Sequence, residues 1–155
     1  MEAGVKKIYC SMLFMFLISG NLFSQVTLSK FLDDWKSTKE SLKSSYANKG
    51  VQEQNIQGMN IVSYKDKYQG ADAGLGYIFT ADGKLMGKTI AVMTKNETEA
   101  AKYFNIVKKS LEGKYGAATK KNQGAMETYS WKSGTNITLA LFKMGNNITL
   151  MQMKK

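Results

Sequence analysis

The sequence predicts an α+β domain, an antiparallel sheet with two helices on one face and the element order αβββαβββ. Two observations lead there. Two stretches repeat their apolar residues at helical spacing, and each is followed by three strand-like stretches joined by short turn signals. The alternation in those stretches is that of a sheet with one face on a core.

Ahead of the domain stand Lys6 and Lys7, the apolar run Ile8 to Ile18, and then Ser19, Gly20, Asn21 and Ser24. Basic, apolar and small-polar regions in that order are the pattern of a secretory signal, and the run is short for a bilayer span. Residues 1–24 are therefore expected to be a signal peptide and 25–155 a single α+β domain, secreted or periplasmic and without a membrane span after cleavage. Cleavage after Ser24 would leave Gln25 first, although Leu22 is a poor match to the small residue wanted two places earlier. An uncleaved anchor or a buried helix is the alternative. Cys10 lies in the apolar run, so the expected mature chain contains no cysteine, disulfide or thiolate.

From Thr27 to Asn48, Leu28, Phe31, Leu32, Trp35, Leu42 and Tyr46 recur on one helix face. Thr27 or Ser29 can cap the start, and Gly50 follows the end. A second helix is expected over 97–115, capped by Asn96 with Glu99 and striped by Ala100, Phe104, Val107, Leu111 and Tyr115. Strands are expected over 59–64, 75–80 and 85–94, the last two joined at Asp82-Gly83. Three more are expected over 127–132, 136–143 and 148–153. Tyr77, Phe79, Tyr129, Trp131, Met151 and Met153 either form an aromatic and methionine surface on the open face or are placed inside by register.

The export segment ending Phe23-Ser24-Gln25, the helix end Leu111-Glu112-Gly113-Lys114-Tyr115-Gly116, and Trp131 followed by Ile137-Thr138-Leu139 resemble small secreted proteins of unknown function from Bacteroidota-type bacteria. Such proteins usually follow the Tyr-Gly with x-Pro, where this chain has Ala117-Ala118. The doubled order of helix and strands is similar to the β-lactamase-inhibitor-protein class. These resemblances imply a secreted α+β fold and transfer no functional residue.

Composition excludes more than it assigns. All 22 basic residues are lysine, and the chain has no Arg, His or Pro. Without Glu2, Lys6 and Lys7, 20 Lys face 11 acids, a mature charge of +9. That charge favours anionic surroundings. Without arginine's planar fork, specific nucleic-acid recognition is not expected.

The usual bases, nucleophiles and zinc ligands are missing. Asp33-Asp34, Asp66 with Asp72, and Glu97 with Glu99 are acidic pairs, the last suited to a helix start. Lys132-Ser133-Gly134 resembles a penicillin-binding strand motif, but no Ser has Lys three places on. Gly70, Gly74 and Gly76 lack the following helix of a phosphate loop and suit a loop entering a strand, with a bulge there. Asp72 and Asp82 lack calcium-loop spacing. Met151 and Met153, with Met144 nearby, could be copper(I) ligands or sheet packing, and packing is the expectation.

The expected function is a small exported, non-catalytic binding or interaction module contacting a protein or cell-envelope component, with no cofactor, metal or catalytic residue assigned. The alternatives are a lysine-mediated binder of polyanions or the envelope surface, and an enzyme of unrecognised type.

Overall fold

The computed structural model describes residues 27–155. The expected signal peptide, Cys10 and the cleavage point before Gln25 lie outside the described residues.

The expected order αβββαβββ is corrected in two places. The first helix is two short ones, α1 (Leu28–Asp33) and α2 (Lys39–Ser45), followed by a 3-10 turn at Ala47–Lys49. Each helical part is followed by four strands: β1 (Gln52–Ile56), β2 (Met59–Tyr68), β3 (Ala71–Phe79) and β4 (Leu85–Met93), then, after α3 (Glu97–Tyr115), β5 (Thr119–Gln123), β6 (Met126–Ser133), β7 (Ile137–Met144) and β8 (Asn147–Lys154). All eight form one sheet in the order β1-β2-β3-β4-β8-β7-β6-β5, each neighbouring pair antiparallel.

Local chemistry explains both corrections. One carboxylate oxygen of Asp34 accepts from the backbone N–H groups of Lys36 and Ser37, and the other accepts from the Ser37 hydroxyl at 2.6 Å. This side-chain-to-backbone bonding competes with the helix and stops it. Thr38 and Ser41 then restart the chain as a reciprocal capping box. The added strands read QEQNI and TKKNQ, polar runs at the two outer edges of the sheet. Edge strands with charged side chains resist pairing with other chains and carry little apolar alternation.

Two-residue turns at Gln57-Gly58 and Gln69-Gly70 close the first two hairpins, all four residues at positive φ (53°, 81°, 49° and 86°) as the twist of such hairpins demands. The register then sorts the side chains. One row on the helix face runs Tyr64, Leu75, Ile90, Leu150, Leu141, Tyr129. The next runs Val62, Tyr77, Lys88, Gln152, Leu139, Trp131. Phe31, Leu32 and Leu42 from the short helices and Ala100, Phe104, Val107 and Leu111 from α3 close over these rows as one core. Tyr77, Phe79, Tyr129 and Trp131 thus belong to the helix side, while Met151 and Met153 fall on the other.

Candidate functional site

Two regions stand out: a buried cation beneath α1, and the sheet face on which none of the described helices packs.

Lys88 sits mid-strand in β4 with the parity of Ile90 and Val92, so its side chain enters the helix-side core, where it is fully buried. Its ammonium donates to the carbonyl oxygens of Phe31, Leu32 (3.1 Å) and Asp34 (2.6 Å). Those carbonyls lie at the C-terminal end of α1, where a helix leaves acceptors unpaired and favours a cation. The Phe31 ring lies 5.1 Å from the ammonium and the Trp35 ring 4.4 Å, while Lys154 approaches Trp35 at 5.7 Å. Burial lowers the Lys88 pKa to about 8, against the opposing pull of Asp34 and Asp33. Gln152, paired with Lys88 across β4 and β8, is buried with its carbonyl oxygen unpartnered.

A second polar seam lies beside it. Asp66 is buried against Lys49 at 2.6 Å. The Tyr46 ring stacks on Tyr64 at 3.9 Å, Tyr64 lies 6.2 Å from Tyr77, and the edge of Phe31 meets Tyr77 at 6.0 Å. Burial raises the Tyr64 and Tyr77 hydroxyl pKa values, holding both neutral. Every buried ionic group here has a structural partner, so the arrangement anchors α1, α2 and the 3-10 turn to the sheet.

The opposite face is chemically different. One row runs Lys65, Gly74, Ala91, Thr149, Phe142, Thr128, Lys121, with a lysine at each end and no acid between. The next runs Ser63, Gly76, Thr89, Met151, Ala140, Ser130. Glycines occupy two tight points: a Cβ on Gly76 would meet the Thr89 hydroxyl at 2.8 Å, and one on Gly87 would displace the Met153 sulfur. The Thr128 hydroxyl is buried without a hydrogen-bond partner. Among the strand residues of this face, Lys65, Lys67, Lys121 and Lys132 stand against Asp72 alone, which is itself bonded to Lys67 at 2.9 Å.

The acidic pairs do not converge. Asp66 and Asp72 lie on opposite faces, Asp33 meets Lys114 at 2.8 Å, and Glu99 bonds the Lys95 backbone in the α3 cap region. Among the described residues no group of three or more His, Cys, Asp or Glu side chains is placed to hold a metal ion. Lys132-Ser133-Gly134 runs from the end of β6 into a turn, with Gly134 at φ 65°. Gly74 and Gly76 lie inside β3, not in a loop before it, and the register shift comes later at Ile78 and Phe79. Met151 is buried and Met153 covers Gly87, so both pack. Lys120 and Lys121 point to opposite faces, Lys120 pairing with Glu127 at 3.3 Å.

Sequence reasoning missed Lys88, its carbonyl cage and Gln152. The signal was present, since Lys88 shares the alternation of Ile90 and Val92.

No protein-family model matches the sequence, and no curated protein or solved structure matches it.

Proposed function

We propose that the mature chain is an exported, non-catalytic binding module that contacts a protein or cell-envelope component through the sheet face opposite the helices. One observation carries this reading: the helix side holds the main aromatic and aliphatic core, whereas the opposite face, beside Ile61, Ile78 and Phe142, combines small, hydroxyl and methionine side chains with lysines and a single acid. Methionine is enriched at protein interfaces and the lysines at the edges of this face supply a polar rim, which favours contact with a partner over a second packed core. The non-catalytic part rests on the absence of His from the sequence and of Cys from the expected mature chain. No described helix is long and apolar enough to cross a membrane.

A photo-crosslinking residue placed at Thr149 or Ala140 should give a discrete adduct in the producing cell, and the same residue at exposed Asn105 on α3 should not. Equal labelling from both faces, or none from either, would remove the reading.

The row from Lys65 to Lys121 favours a second reading, electrostatic contact with a polyanion or the envelope surface. Retention on an anionic column that collapses with salt and weakens on Lys121→Gln, but not on Lys109→Gln in α3, would favour it over the first.

A further inference from the structure

The two outer edges of the sheet are not equally protected against pairing with another chain. β1 and β5 hold equivalent places, each closing a hairpin with its inner neighbour, so that Ile56 opposite Met59 matches Gln123 opposite Met126. Counting back from those closing pairs sets Gln54 on Lys121 and Glu53 on Lys120. In a hairpin with a two-residue turn the closing pair exchanges both backbone hydrogen bonds, and bonded and non-bonded pairs alternate from there. Ile56, Gln54 and Gln52 therefore bond inward to β2, which leaves the N–H and C=O groups of Glu53 and Asn55 pointing outward. Both residues are exposed. Among the described residues no strand pairs with that side of β1, and no backbone bond from a turn or loop takes those groups. Unpaired edge groups of this kind are a template for another strand.

β1 is complementary to a second copy of itself. With Gln54 on a two-fold axis, Glu53 of one copy faces Asn55 of the other twice over, and each of these pairs can exchange both backbone hydrogen bonds. The side chains suit that register. Glu53 is held on the helix side by Lys39 at 3.6 Å and by Lys43, and in the pair it meets an amide and not a second carboxylate. Moving the axis to Glu53 would oppose two carboxylates, and moving it to Asn55 would bring Glu53 against Gln57 in the turn, at φ 53°. At the axis the Cα atoms of the two Gln54 residues stand about 4.5 Å apart in a non-hydrogen-bonded pair, where each side-chain amide can both donate and accept. The same operation on β5 sets Lys121 against Lys121, and like charges directly opposite destabilise a pair. Lysine is a usual protection of an edge, and only one of the two edges has it at the centre.

We propose that β1 pairs antiparallel with β1 of a second copy of this chain about Gln54, joining the two sheets into one. The surface is a strand edge, so it leaves the lysine-bordered face open and does not depend on the function proposed for that face. A five-residue edge buries little compared with a permanent interface, so a reversible, concentration-dependent dimer is expected. Sedimentation equilibrium of the protein purified from its producing cell should show a mean mass that climbs from one chain toward two as concentration rises. Gln54→Lys gives β1 the protection of β5, and Gln54→Glu puts two carboxylates at the axis. Each variant alone should stay at one chain, with its melting curve at low concentration unchanged. An equimolar mixture of the two should dimerise again, because the axis then opposes an ammonium to a carboxylate. A wild-type mass that stays at one chain up to the solubility limit, a dimer that survives both single substitutions, or a mixture that remains monomeric would overturn the assignment.

Discussion

The two halves of the sheet are built alike and filled differently. Exchanging them about the Ile90–Leu150 pair sets Leu75 on Leu141 and Tyr64 on Tyr129, because the pairings outward from that centre match. The same exchange sets Lys88 on Ile148 and Asp66 on Trp131, all four buried. One half covers its strands with two short helices and keeps charges inside. The other covers them with the 19-residue α3 and is aliphatic and aromatic. Equivalent positions in one sheet therefore accept either chemistry, and the covering segment decides which. Where a helix ends over the sheet, its open carbonyls can take an ammonium, and where a helix runs through there are none to offer.

That comparison is broken most directly by Ile148→Lys, which places an ammonium in the half that supplies no carbonyl cage. We expect a loss of about 4 kcal/mol or more, read as failure to give a cooperative urea transition at neutral pH. Phe104→Ala, on the core face of α3, should cost ~3 to 5 kcal/mol in the same measurement. Lys88→Met removes the expense of burying a charge but leaves three carbonyls without their donor, so a net loss of about 1–3 kcal/mol is expected. A gain in stability would mean that the cage contributes nothing.

The pH dependence sharpens the same point. Lys88 has a folded pKa of about 8, below its ordinary 10.5, so between those values the unfolded chain binds the extra proton. Its contribution is least favourable below pH 8 and becomes more favourable as pH rises toward 10.5. The stability difference between wild type and Lys88→Met should therefore widen in favour of wild type between about pH 7 and about pH 9.5. The smallest effect is expected at Lys39→Ala, whose partner Glu53 is 3.6 Å away and also contacts Lys43, with a change within about 0.5 kcal/mol.

How much of this was legible in the sequence depended on whether local and tertiary signals agreed. At α3 they did: the Asn96 cap, the apolar stripe and Gly116 bound the helix at 97–115, as found. In the first helical part they disagreed, because Phe31, Trp35, Leu42 and Tyr46 continue an apolar period across a break made by the Asp34 carboxylate. Trp35 accordingly lies in the connection between helices, half-buried over Lys88, and not on a helical stripe. β1 and β5 were illegible because an edge strand of Gln, Glu, Asn and Lys shows no alternation, and only its partner reveals it. The buried polar centre was illegible for another reason. Its stabilisation comes from carbonyls 54 to 57 residues away in the chain.

Each half also contains one of the two tryptophans, in contrasting settings. The indole of Trp35 has two ammonium groups near its ring, those of Lys88 and Lys154, whereas that of Trp131 is buried and donates through Nε1 to the Gly116 carbonyl at 3.0 Å. Each therefore reports the release of a different helical cover. Replacing one tryptophan at a time by phenylalanine turns the protein into a pair of single-colour optical gauges, and any gap between their unfolding curves measures how tightly the polar half and the apolar half are yoked.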